Sequence, residues 1–569
     1  MGDRLRAARP ASVRQDLILR GRAAWFVFLA ALAFFAAGAA TRGLWTSDEH
    51  RIAEVVREMT APGGSWLVPH LEGAVYAHKP PLVPWVGAFA QTALHLDLAT
   101  AVKVPSVLGA ALAVLGTFLI GRRLWGAPAG LAAAAILATL GEFDWICRRA
   151  QYDPLLAGFT TLALWFFVRS HFPDEEGADP PAPWRDAILG SLCVGFAGFA
   201  KGPAALAFTA PVILAFAAAA REWRIFRTPR LAALVFVLVP ALLWIVPAGM
   251  RAGGSYVKDL VLGHGVAHAA GDLEKIEPFW FYGLALPKGL LPWTLLVPAG
   301  CLALTKWRDA AQRRADLFVM AWCLAPLVVM SLSPAKRDLY LVPMYPAVAL
   351  LIGKLAALGE ERLRSGWFSI PAKALAAAAL ASGLVAVAVA AMLVTGLDGP
   401  IERVLPMWTL VRAAAHWVDC ALAAVFGLLT ARHAVRALRG ATTLQSFADL
   451  RLAVLSAFAI VVAGAVPVLD ALQSPRSFYE QAAKIVGDAP LGRYGLDDYS
   501  ANWAMPRTSI PYFEPPGAAG RFLAAQTGPA FLVAEQDYVD RHGTPPDARV
   551  VLRGSLPLGK DLLLFTKAP

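Results

Sequence analysis

Charge is scarce in this chain. Of 569 residues only 16% are Asp, Glu, Lys or Arg, whereas 57% are hydrophobic and the mean hydropathy is +0.54. That balance excludes a disordered chain and an ordinary soluble domain. Cysteine is equally sparse: the five, Cys147, Cys193, Cys301, Cys323 and Cys420, stand singly in or beside apolar runs. None has C-x-x-C spacing, so a zinc ribbon or disulfide framework is excluded, and small buried hydrophobes are expected instead. Repeats of the 20–50-residue kind are missing, which excludes a solenoid. Matching halves, the mark of many inverted-repeat transporters, are missing too.

What the sequence does have is apolar runs, many near the roughly 20 residues that cross a hydrocarbon core. Runs at 24–41, 101–120, 128–146, 154–170, 186–200, 203–220, 231–250, 281–304, 316–332, 339–357, 372–395, 409–430 and 452–470 predict about thirteen membrane helices. The net charge of +11 could suggest nucleic acid, but the cations cluster in short segments between apolar runs, as the positive-inside rule requires. The clusters are the tail 1–23 with Arg4 to Arg22, Arg122-Arg123, "REWRIFRTPR" (221–230), "KWRDAAQRR" (306–314), "KLAALGEERLR" (354–364) and "ARHAVRALR" (431–439). All of them lie in the cytoplasm if residues 42–100 form one large outer loop. "AAGAAT" (36–41) resembles a signal-peptidase site, but the preceding segment is longer than a typical signal h-region, and an uncleaved first helix is expected.

Three parts follow: a cytoplasmic tail 1–23, a membrane domain 24–471, and a segment 472–569 richer in Pro, Gly, Asp and Tyr. In the last, "FLVAEQ" (531–536), "RVVLRG" (549–554) and "LLLF" (562–565) read as strands and "SFYEQAAKIVG" (477–487) as a helix. A small α/β domain on the outer side is predicted.

Sorting polar residues by side gathers Asp48, Glu49, His50 and Arg51, "YAHKPP" (76–81), "RRAQYD" (148–153), "AKGP" (200–203) and "SPAKRDLY" (333–340) on the outer face. Each has a structural explanation. In "WTSDEHRIAEVVREM" (45–59), Ile52, Val55, Val56 and Met59 form one apolar helix face, suited to lying on the bilayer. Thr46 and Glu49 have capping-box spacing. Asp153 before Pro154 suits a helix start, and Lys79 and Lys201 could snorkel to the interface. Yet carboxylates and cations recurring on one face of a hydrophobic bundle suit a phosphate-bearing lipid substrate.

The blocks "WTSDEHRIAEVVREM", "GSWLVPHLEGAVYAHKPPLVPW", "KVPSVLGA", "RRAQYDPLLAGF", "GFAKGPAAL" and "SPAKRDLYLVPMYPAVALL", in that order, resemble the bacterial lipid A aminoarabinose transferases and the related protein O-mannosyltransferases. These are GT-C glycosyltransferases that use polyprenyl-phosphate sugars. The resemblance runs from about residue 20 to 357. It implies a polytopic α-helical GT-C fold in a bacterial inner membrane, with the active site and C-terminus periplasmic. It also implies a polyprenyl-phosphate-linked sugar donor and an acceptor that is lipid A, another glycan or a protein.

Carried over by residue, Asp48 and Asp153 match the family's outer-loop acids and are the expected catalytic pair. Arg51 matches its nearby Arg, Lys79 the KPP lysine that meets the lipid phosphate, and Tyr340 the Tyr after the later lysine-rich turn. Arg149, Lys201 and Lys336 are expected to bind substrate or phosphate with them. The chain departs from the family at His78, where an acid is common, at "KRDLY", and at Lys103, where Arg is usual. No cofactor is required by this reading. A divalent metal remains open, because His78, His264 and His268 share the outer side and His264-x-x-x-His268 would align two imidazoles on a helix. A transporter or flippase of a lipid-linked substrate is the alternative from another class.

Overall fold

A computed structural model describes residues 11–173, 183–227, 229–260, 276–305, 309–358, 366–396, 408–440, 443–497, 509–555 and 559–567, with 307, 499–505 and 507. His264 and His268 lie outside the described residues. Each of the thirteen expected spans has a helical counterpart, but they are unequal. Seven helices are long and apolar enough to cross a bilayer, or nine if each of two bent pairs counts as one span, among the described residues. The bent pairs are Ala127–Ala138 with Gly141–Cys147, at 66°, and Phe281–Gly289 with Trp293–Thr305, at 105°. Ala204–Ala220 and Val239–Ala252 are shorter apolar helices. Apolar composition measured the length of these runs but not their bends.

The first helix, α1 (Ala11–Ala40), leads through an irregular turn into α2 (Ser47–Thr60). Thr46 is the extended N-cap of α2, and Asp48 and Glu49 sit in its first turn, where the helix dipole favours acids. The expectation that α2 lies on the lipid surface is corrected. Ile52, Val55, Val56 and Met59 are 0–2% exposed, packed with Tyr76, Val83, Ala88, Val102 and Leu155. The apolar face is therefore covered by protein, including α3 (Leu82–Ala93). Glu49, His50 and Glu54 are buried as well, so α2 is enclosed on more than one face.

Helices Val104–Trp125 and Asp153–His171 approach closely through glycine. A Cβ on Gly109 would stand 2.3 Å from the Pro154 backbone, and one on Gly158 would stand 2.6 Å from the Gly109 carbonyl. Small residues permit this contact, and it seats Asp153 at the first turn of its helix beside α2. Helix Pro183–Lys201 runs alongside and ends at Lys201. Farther along the bundle, Lys354 and Asp316 form a fully buried ion pair, with Trp125 donating to the same carboxylate at 3.1 Å.

The C-terminal segment is an α/β domain. Strands β3 (Leu491–Tyr494), β4 (Tyr512–Phe513), β5 (Phe531–Glu535), β6 (Ala548–Gly554) and β7 (Leu562–Lys567) form a sheet in the order β4-β3-β5-β7-β6. A separate two-stranded hairpin, β1 (His70–Leu71) with β2 (Ala74–Val75), lies in the loop between α2 and α3. In the larger sheet β4, β3 and β5 run parallel, while β7 is antiparallel to β5 and β6. Side chains alternate along β5 and β7, so Val533 and Leu564 face Phe478 and Tyr479, whereas Leu532 and Phe565 face Ala519 and Leu523. The three strands and the helix expected here are present; β3, β4 and the intervening helices are additional, because their runs are too short to carry a period.

Candidate functional site

The start of α2, the loop after β2, the start of helix Asp153–His171, the end of helix Pro183–Lys201 and the turn at 337–340 converge on one cavity. It holds about 120 Å³ and is lined by Asp48, Arg51, Tyr76, His78, Lys79, Gln151, Tyr152, Asp153, Lys201, Arg337 and Tyr340, with Ile52 and Leu339. Residues separated by almost three hundred positions thus share one wall.

Asp48 is the organising anion. It is bonded to Arg51 on the same helix, and Arg337 Nη2 reaches its other oxygen at 2.9 Å. Burial alone would raise the Asp48 carboxyl, but Arg337 and then Arg51 outweigh it and hold it below its ordinary value. The second carboxylate, Asp153, is 2% exposed and pairs with Lys201 Nζ at 2.6 Å. That ammonium also lies 4.5 Å from the Tyr340 ring centroid, a cation–π contact. Arg51, Lys79, Lys201 and Arg337 therefore outnumber the two carboxylates, leaving the cavity cationic and matched to a phosphate.

Glu49 has a different job from its neighbour. It is fully buried and paired with Arg42, and it accepts hydrogen bonds from Trp45 N–H at 3.0 Å, Thr46 Oγ1 at 3.3 Å and Ala150 N–H at 3.1 Å. Burial pushes its carboxyl up, but Arg42 and Arg149 overcome this and hold it down to about 2. It ties the α1–α2 turn to the segment before Asp153. His50 is buried too: Nε2 lies 3.2 Å from the Leu44 carbonyl and the ring stacks on Trp503.

Of the residues expected from sequence, Asp48, Arg51, Lys79, Asp153, Lys201, Tyr340 and His78 line the cavity. Arg149 and Lys336 do not. Arg149 donates to Thr46 Oγ1 at 2.9 Å and lies over Trp145. Lys336 is 6% exposed and turned to the carbonyls of Glu277 and Ser333, at 2.8 and 2.6 Å. In each cationic pair the neighbour's choice of direction is set by backbone geometry that spacing does not reveal. Arg337, adjacent to Lys336 in "KRDLY", was the missed cation, and Tyr76, Gln151 and Tyr152 lie inside motifs already singled out. Among the described residues no group of three or more His, Cys, Asp or Glu could hold a metal ion.

A family model described as dolichyl-phosphate-mannose-protein mannosyltransferase matches residues 78–247. The chain is 32% identical over 352 residues to undecaprenyl phosphate-alpha-4-amino-4-deoxy-L-arabinose arabinosyl transferase 1 of Pseudomonas fluorescens, covering 60% of this chain and 59% of that one. A relative of the same description from Pseudomonas paraeruginosa is 29% identical over 412 residues, covering 71% of each chain. The matched part thus spans about three fifths of the first relative's length. The crystal structure of ArnT from Cupriavidus metallidurans bound to undecaprenyl phosphate superposes with a TM-score of 0.70 at 20% identity, over 95% of this chain and 98% of that one.

Proposed function

We infer that this chain, similar in sequence to arabinosyl transferases of lipid-linked sugars and in fold to ArnT, is a membrane glycosyltransferase of the GT-C class. It takes a sugar from a polyprenyl-phosphate donor and passes it to lipid A, another glycan or a protein on the periplasmic side of a bacterial inner membrane. The observation that carries this reading is the cavity in which four cations outnumber two carboxylates at the edge of an apolar bundle. A second cavity of about 230 Å³, lined only by apolar and aromatic side chains such as Trp85, Phe196, Phe199 and Trp244, shares helix Pro183–Lys201 with the first and suits a prenyl chain.

In the proposed reaction an acceptor oxygen attacks the sugar C1. The bond from C1 to the phosphate oxygen breaks, and the polyprenyl phosphate leaves with the electron pair. Direct displacement inverts C1. Negative charge grows on the departing phosphate, so cations fixed around it act more strongly in the transition state than in the ground state. Lys79, Arg51 and Arg337 are the groups proposed to meet it, with Lys201 held beside Asp153.

Asp48, ionised and clasped by two arginines, is a weak base suited to orienting those arginines. A phosphate acceptor needs no deprotonation. For a hydroxyl acceptor, Asp153 or Asp48 would receive the proton. No cofactor enters this scheme; of the histidines considered for a metal, His78 lines the cavity.

The orientation that the basic clusters support puts the cavity and C-terminal domain outside, where a lipid-linked donor is displayed. Mass spectrometry of lipid A and envelope glycans, with the chain present or deleted, tests the reading. One sugar modification should vanish on deletion and return with the wild-type gene but not with Lys79→Ala. Unchanged glycans, with altered uptake of a lipid-linked substrate by vesicles instead, would favour a transporter or flippase.

A further inference from the structure

The β1–β2 hairpin is gripped from two sides at Glu72. From α2, the Glu58 carboxylate accepts the Glu72 N–H at 2.5 Å and the Gly73 N–H at 3.1 Å. From the C-terminal domain, Arg493 Nη2 donates to both Glu72 oxygens, at 2.8 and 2.9 Å, and Asn502 Nδ2 adds a bond at 2.9 Å. Arg493 and Asn502 are 4% and 0% exposed, so these are desolvated, charge-assisted bonds. Glu72 makes them from φ 56°, a left-handed conformation that favours glycine. Its carboxylate therefore offsets a backbone cost that a glycine would avoid.

The chain leaves this turn directly into the cavity. Tyr76 N–H closes the hairpin on the Pro69 carbonyl at 2.8 Å, and Tyr76, His78 and Lys79 then form part of the cavity wall. Two further contacts dock the same domain on α2: Arg57 donates to the Arg507 carbonyl at 2.9 Å, and Trp503 stacks on His50.

We propose that Glu72 is a positioning residue through which the C-terminal α/β domain sets the placement of Lys79 against the donor phosphate. This rests on reading the cavity as the phosphate site. The domain, far in sequence from every cavity residue before it, thereby becomes part of the donor-binding apparatus rather than an appendage. Glu58 fixes the hairpin relative to Asp48 and Arg51 on its own helix, and Arg493 with Asn502 fixes it from above.

The test uses the full-length protein in lipid nanodiscs, as wild type, Glu72→Gln and Arg493→Lys. The lysine keeps the charge but loses the planar guanidinium that reaches Glu72 through Nη2 and the Ile510 carbonyl through Nε. Each variant should raise the donor KM on the order of ten- to 10²-fold, the scale of a misplaced binding group, with a smaller change in kcat. Backbone hydrogen exchange should quicken over residues 70–79 and stay unchanged in the membrane helices. Unaltered KM and unaltered exchange over 70–79 in folded variants would overturn the proposal. So would faster exchange throughout the molecule, which marks a purely structural loss. If the wild-type protein transfers no sugar, that failure falls on the functional reading, and the exchange measurement alone decides whether Glu72 holds the loop.

Discussion

Asp48 and Glu49 are neighbours with opposite fates, and roughly a quarter turn of helix separates their roles. Asp48 points to the cavity and is clasped by Arg51 and Arg337; Glu49 is sealed inside, holding Arg42 and three backbone or hydroxyl donors. The acids were legible in sequence, as were Lys79, Asp153 and Lys201, because charge at a span end is costly and therefore conspicuous. Which of two adjacent cations enters the cavity was not legible, since Lys336 and Arg337 differ only in the direction that the turn gives them. Arg337 is the larger of the two opposing influences on Asp48. Its removal leaves burial less opposed, so the Asp48 carboxyl rises. Arg337→Ala should accordingly move the acid limb of the pH–rate profile upward while Arg51 is retained. A limb in the same place, measured as kcat/KM against pH, would separate Asp48 from the catalytic titration.

At the level of elements, α2 shows how far periodicity reaches. The i, i+3, i+4, i+7 pattern placed the helix and its apolar face correctly, but a hydrophobic face does not state what covers it. Here protein covers it, and the burial extends to Glu54, which is closed off beside Arg57. Burial pushes the Glu54 carboxyl up to about 7, Glu58 adds to this, and Arg57 offsets only part. The folded value lies above the unfolded one, near 4.5. Between them the folded protein keeps a proton that the unfolded chain has lost, so this contribution is complete below the lower value and disappears as pH rises through about 7. Glu54→Gln should therefore flatten the dependence of the unfolding midpoint on pH between about 5 and 8. The midpoint at the alkaline end would gain relative to wild type. An equally steep dependence in the variant would assign the titration elsewhere.

The whole molecule divides by the physics that each part obeys. The bundle was readable because a bilayer demands length and apolarity, although among the described residues seven helices, or nine with the bent pairs, meet that demand against about thirteen expected spans. The bends at 66° and 105° were not, since they depend on packing between distant segments. The C-terminal domain was recognisable as α/β from its longer strands, but its docking through Arg493, Asn502 and Trp503 depends on three dimensions alone. The C-terminal domain meets the rest at the β1–β2 hairpin and α2, whereas the cationic cavity is lined from residues 48–340 alone, and what is proposed of it is chemical. Purified protein in nanodiscs, supplied with a labelled polyprenyl-phosphate sugar and envelope acceptors, should transfer the label with inversion at C1. Lys79→Ala and Asp48→Ala, inserted and folded as wild type, should lose on the order of 10²-fold or more of that transfer. Undiminished transfer by either folded variant would contradict the account.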